Sequence, residues 1–213
     1  LKGFHTIEFL LWGENGNKQV AEISEREFEY LAAAAGVLAA DAAQLYSLWN
    51  PAEGNFIDNV LKAGNGSVVY ISQKSALEEI ANALVIIADE VANGKINDPL
   101  SQQDLTLEES RFSANSKADF ANNIRSIKNI YTGKFETFGN GKSLSEIIKD
   151  KNPGLDTQVS GDIDAAIDAI NAIPGTFSDA VMNNKPAVAA AQEAVRELQK
   201  TLEEQVLPLI SNL

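Results

Sequence analysis

SEREFEYLAAAAGVLAADAAQLYSLW, residues Ser24 to Trp49, is the stretch that decides the fold. Its apolar residues Phe28, Leu31, Ala32, Ala35, Leu38, Ala39, Ala42, Leu45, Tyr46 and Trp49 return every three or four positions, the period of one helix face. Ser24 followed by Glu27 is a capping box, in which the hydroxyl takes the third amide and the carboxylate reaches back to the Ser24 N–H. Pro51 stops the helix, because it has no N–H to give. The many alanines let another helix approach closely.

Outward from this segment the pattern stays helical. Residues 55–63 form a short segment ended by Gly64-Asn65-Gly66. Ser75 with Glu78 predicts a second cap, followed by Leu77, Ile80, Ala81, Leu84, Ile87, Ala88 and Val91 and closed by Gly94. Residues 97–108 are polar, contain Pro99 and read as a loop. A helix is predicted to begin near Ser116, with Asp119 at the capping-box position and Phe120, Ile124, Ile127 and Ile130 on one face. Residues 133–142 hold three glycines and read as a loop. Ser143 with Glu146 caps a helix over Leu144–Lys149, which Asn152-Pro153-Gly154 breaks. Further helices are predicted from Asp162 to Ile173 and from Lys185 to Leu209, the last with Val188, Ala191, Val195, Leu198, Leu202 and Val206 inward. Ser67–Ile71 is β-like but too isolated to build a sheet. The fold class is all-α, packed antiparallel helical bundles, with the glycine-rich stretch as the place where two bundles meet or divide.

Composition narrows function. The chain has 213 residues, a net charge of −13 and no cysteine. Disulfides, thiolate metal sites and cysteine nucleophiles are therefore out. The acidic balance argues against nucleic acid, whose phosphates need clustered Lys and Arg, and against anionic membranes. No apolar run is read as a transmembrane segment, and no signal peptide is visible. A functional pair in the first turns of the chain leads us to expect residues ahead of Leu1.

That pair is His5, the only histidine, and Glu8, in Gly3-Phe4-His5-Thr6-Ile7-Glu8-Phe9-Leu10-Leu11-Trp12-Gly13. Three residues apart on a helix, both side chains lie on one face and reach one centre. The flanking residues are apolar nearly all round, which predicts burial, and a buried charge must be paired or coordinated. Two readings stand: a hydrogen-bonded structural pair, or metal ligands. A second polar patch, residues 108–116 leading into Asp119, Asn122 and Asn123, is dense in carboxylates, hydroxyls and amides; it reads either as ordinary helix-capping and loop chemistry or as a site in which Glu109, Ser110 and Asp119 converge on the pair and complete an oxygen-rich centre. Asn122 and Asn123 are poor helix formers, so one of them is expected to bond something buried. Trp12, Trp49 and Tyr131 read as core, with a cleft-lining role for Tyr131 as the alternative. One imidazole with carboxylates and no thiolate suits iron, manganese or calcium more than structural zinc. H-E-x-x-H and G-x-S-x-G are absent, and the Walker-like ending Gly139-Asn140-Gly141-Lys142-Ser143 lacks the first glycine of that motif.

The extended first motif resembles the G-x-H-x-x-E signature of the imelysin-like family. Tyr30-Leu31, Asp41 and Trp49, then Glu109-Ser110-Arg111-Phe112-Ser113, Asp119, Asn122-Asn123 and Tyr131-Thr132-Gly133, are similar to its later blocks. So are Leu144 through Asn152-Pro153 and Ile173-Pro174. The resemblance implies two helical bundles, here 1–132 with the His/Glu motif and 143–213, meeting near that motif, with further helices upstream. It implies an exported bacterial protein, periplasmic or an outer-membrane lipoprotein, linked to iron uptake. On this reading His5 and Glu8 bind a metal ion, iron first and zinc or calcium next, or an iron-bearing ligand. Glu109 and Asp119 add oxygen, and Ser110, Asn122 and Tyr131 line the site. Other envelope iron-uptake proteins are the implied partners. Two alternatives remain: a metallopeptidase with Glu8 as general base beside a His5-bound metal, and a structural interaction module.

Overall fold

The computed structural model describes residues 1–135 and 139–213, and it is essentially all-α. Two compact units divide the chain: residues 1–76 with 109–114, and residues 77–108 with 115–213.

The first unit holds α1 (Phe4–Trp12), α2 (Glu25–Trp49) and the short α3 (Ile57–Leu61). The predicted cap of α2 forms as read: Glu27 N donates to Ser24 Oγ at 3.3 Å and Ser24 N to Glu27 Oε2 at 2.9 Å. Lys18 Nζ meets the other Glu27 oxygen at 2.7 Å, so the loop before the helix is tied to its first turn. Tyr30 Oη donates to Leu1 O at 2.7 Å, and Lys2 pairs with Asp41 at 2.9 Å, laying the start of the chain along α2. The inward stripe expected of α2 is corrected: Ala34 is its one buried residue, while Leu45 and Tyr46 are 60% and 69% exposed. Trp12 and Trp49, expected in a core, are also exposed, Trp49 resting edge-on against Phe56 at 4.9 Å between ring centroids. By length and mean hydropathy (1.4 over its most apolar 18 residues) α2 is long and apolar enough to cross a membrane. A bundle-core helix has the same composition.

The second unit carries a large core. Its helices are α4 (Gln73–Asp89, which begins in the first unit), α5 (Asn97–Gln102), α6 (Ser116–Thr132), α7 (Leu144–Lys151), α8 (Pro153–Asn171), α9 (Phe177–Asn183), α10 (Lys185–Thr201) and α11 (Leu207–Ser211). α8 packs on both α6 and α10. The α10 stripe is as read, with Val188, Ala191, Val195 and Leu198 fully buried. On α6, Phe120, Ile124 and Ile127 are inward, but Tyr131 rather than Ile130 completes the stripe. Phe120 meets Phe177 of α9 edge-on at 5.1 Å.

Several boundaries differ from expectation, each for a local reason. α4 starts two residues before Ser75, because Ser72 and Ser75 cap each other: Ser75 N donates to Ser72 Oγ at 3.0 Å and Ser72 N to Ser75 Oγ at 3.2 Å. The helix does not stop at Gly94 but widens into a π-helical stretch over Glu90–Ile96 and continues as α5 through Pro99, so residues 97–102 are not loop. Asn115 rather than Ser116 is the cap position of α6. Asn152-Pro153 does break the chain, but α8 starts at once: Asn152 Oδ1 accepts from Leu155 N at 3.1 Å, and Pro153 takes the first turn, where no N–H is needed. The 133–142 stretch, expected as a loop where two bundles meet or divide, contains a short antiparallel pairing. Lys134–Phe135 there pairs antiparallel with Gly139–Asn140, and residues 136–138 lie outside the described residues.

Candidate functional site: a histidine held by a buried glutamate

Gly3, the first glycine of the motif, stands at the N-cap of α1 with φ +99°, a left-handed conformation that a side chain rarely adopts. One turn later His5 and Glu8 come together: His5 Nδ1 lies 2.9 Å from Glu8 Oε2. Their environments differ sharply, since the imidazole is 52% exposed and the carboxylate 9%. Within α1 only Glu8 and Leu10 are buried, so the burial expected of the whole motif is confined to these two residues.

The other Glu8 oxygen is held from 105 residues away. Ser113 donates to Oε1 from both its backbone N–H and its hydroxyl, each at 2.8 Å. The carboxylate thus accepts three hydrogen bonds. Burial pushes the Glu8 pKa up, but the hydrogen bonds from His5 and Ser113 outweigh it and the net shift is downward. Glu8 is therefore ionised at neutral pH, and an ionised carboxylate only accepts. Nδ1 must carry the proton of that contact.

Segment 109–114 is pinned to α1 by more than Ser113. Phe112 packs edge-on against Phe9 at 5.2 Å, Arg111 lies 4.2 Å over the Phe112 ring, and Arg111 pairs with Glu14 at 2.8 Å. Gly16 (φ +70°) comes so close to Phe112 that a Cβ there would sit 2.7 Å from the Phe112 carbonyl oxygen. Only glycine fits that approach.

Of the remaining expected site residues, Glu109 and the buried Ser110 lie in this same segment. Asp119, Asn122 and Tyr131 belong to the second unit. There Asp119 Oδ1 accepts from Asn115 at 2.7 Å, and Asn122 Oδ1 accepts from Arg125 at 2.7 Å. Asn123 is the asparagine that meets a partly buried partner, Lys95 Nζ, at 3.2 Å. Tyr131 is fully buried with its hydroxyl donating to Asp156 at 2.9 Å, and burial followed by that carboxylate raises its pKa. Among the described residues no group of three or more His, Asp or Glu side chains is gathered to hold a metal ion. Sequence reasoning missed Ser113 as a holder of Glu8, because no spacing rule links residues so far apart.

The sequence profile of the imelysin family, a peptidase family by name, matches residues 1–206. The chain belongs to the imelysin family. It is 32% identical to iron-regulated protein A of Synechococcus elongatus, over 98% of this chain and 58% of that protein. A crystal structure from Parabacteroides distasonis, described as an iron-regulated protein A precursor, superimposes with a TM-score of 0.84 at 30% identity, over 99% of this chain and 64% of the other. An imelysin peptidase from Bacteroides ovatus does so with a TM-score of 0.68 at 33% identity, over 81% and 51%. The chain therefore spans between half and two-thirds of the length of these relatives. The helical architecture read from the sequence is that of this imelysin family.

Proposed function

We propose that this imelysin-family chain is part of an exported bacterial protein, periplasmic or held at the outer membrane as a lipoprotein, that binds an iron-bearing ligand in iron uptake. His5 supplies the protein's bond to iron. The observation that supports this most is the division of labour in the pair: the imidazole is open to solvent while the Glu8 carboxylate is buried and occupied by three hydrogen bonds. A carboxylate so engaged orients a histidine ligand rather than binding metal itself. One imidazole does not make a site for a bare ion, but it suffices for iron that arrives with ligands of its own. Two relatives named for iron regulation support the link to iron. Glu109, in the segment that carries Ser113, is the carboxylate nearest to that serine in sequence.

The test is equilibrium dialysis of the chain against ferric citrate, with iron measured by elemental analysis. Retained iron that falls about tenfold or more in His5→Ala is the expected result. Equal retention by both proteins would overturn the reading. A peptidase role fits less well: a general base works best with a pKa near neutrality and a free oxygen, whereas the Glu8 pKa is lowered and both its oxygens are engaged. Chelator-sensitive cleavage of unfolded polypeptide, lost in Glu8→Gln, would reverse that ranking.

A further inference from the structure

We infer that Ser113 is a positioning residue that decides which nitrogen of His5 faces the ligand. The chain of contacts is short and directional. Ser113 N–H and Oγ–H both donate to Glu8 Oε1, which fixes the carboxylate plane. Glu8 Oε2 then accepts from His5 Nδ1 at 2.9 Å, so the neutral imidazole keeps its proton on Nδ1 and leaves the Nε2 lone pair free. With half of the imidazole exposed, Nε2 is the atom available for coordination. The serine touches neither ligand nor imidazole. It acts by keeping the Glu8 carboxylate oriented as an acceptor. It also brings a segment 105 residues distant into the motif, so the G-x-H-x-x-E sequence is not self-sufficient.

This assignment rests on the reading of His5 as the ligand, but its test does not need iron. His5 is the only histidine, so long-range proton–nitrogen correlation spectra of the labelled chain show a single imidazole without assignment. In alkaline buffer the wild type shows the Nδ1–H tautomer. Ser113→Ala keeps the backbone donor and loses the hydroxyl, and shifts the population toward Nε2–H, while Ser113→Thr restores the wild-type spectrum. Glu8→Gln keeps an acceptor for Ser113 but turns an amide N–H toward Nδ1, and it inverts the tautomer. Copper(II) iminodiacetate, which has room for one imidazole, binds the wild type and Ser113→Thr alike and Ser113→Ala about tenfold more weakly. Far-ultraviolet circular dichroism reads the fold of each variant independently. A wild-type spectrum dominated by Nε2–H, or a Ser113→Ala variant with unchanged tautomer and copper affinity, would overturn the inference. Failure to bind ferric citrate with the tautomer result intact would overturn only the iron reading.

Discussion

The buried Glu8 carboxylate, with three donors on it, ties α1 to segment 109–114. Replacing Glu8 by Ala strands the N–H and hydroxyl of Ser113 together and releases segment 109–114 from α1. Unsatisfied buried donors cost about 1–3 kcal/mol, and Ser113 is half-buried, so Glu8→Ala lowers the stability of this unit by about 1 kcal/mol in urea titrations, whereas His5→Ala, which removes a half-exposed partner, costs less. A second carboxylate gives a pH prediction. The hydrogen bond from Lys18, then the amide and hydroxyl of Ser24, hold Glu27 down to a pKa of about 2, against 4.5 unperturbed. A folded pKa below the unfolded one means stability that is complete above about pH 4.5 and is lost as pH falls toward 2. Urea midpoints followed by tryptophan fluorescence should decline across that window in the wild type and less steeply in Glu27→Gln. Equal slopes would show that the cap and the ion pair carry no linkage.

At the scale of elements, what the sequence revealed and what it hid follow one rule. Features built from residues within four positions were legible: the capping boxes at Ser24 and Ser143, the His5–Glu8 pair and the 3.6-residue stripe of α10. Features made by distant partners were not. Nothing local announces Ser113 under Glu8, nor the helical course of residues 97–102, which Pro99 argued against. That course is explained by the π-helical stretch before it. A π turn widens the helix and leaves backbone carbonyls in need of donors. Buried Gln192 of α10 supplies one, donating Nε2 to Ala92 O at 3.0 Å and to Asn97 Oδ1 at 3.1 Å, a link of about a hundred residues. Gln192→Leu keeps the volume but removes both bonds, and is expected to cost about 1–3 kcal/mol in denaturant titrations. A neutral result would mean the widened turn is stabilised by its apolar contacts alone.

On the scale of the whole molecule, the two units are unequally provided with core. The extended cluster of buried apolar side chains, from Ala81 to Ile210, lies in residues of the second unit, whereas α2 of the first unit buries one alanine and exposes Leu45, Tyr46, Leu48 and Trp49. The stripe that the sequence correctly read as one apolar face thus proved uninformative about burial, because periodicity says which residues face together and not what they face. Unequal cores predict unequal stability, since burial of apolar area is the main favourable term in folding. The chain carries its own reporters for this: both tryptophans, Trp12 and Trp49, lie in the first unit, while helicity reports both units. Tryptophan fluorescence should therefore change at lower urea than the larger part of the circular dichroism signal. Leu198→Ala, at a fully buried position of α10, should lower the later transition by about 2–5 kcal/mol and leave the fluorescence midpoint in place. If the two probes coincide and Leu198→Ala moves both equally, the chain unfolds as one cooperative body and the division into a weak and a strong unit is wrong.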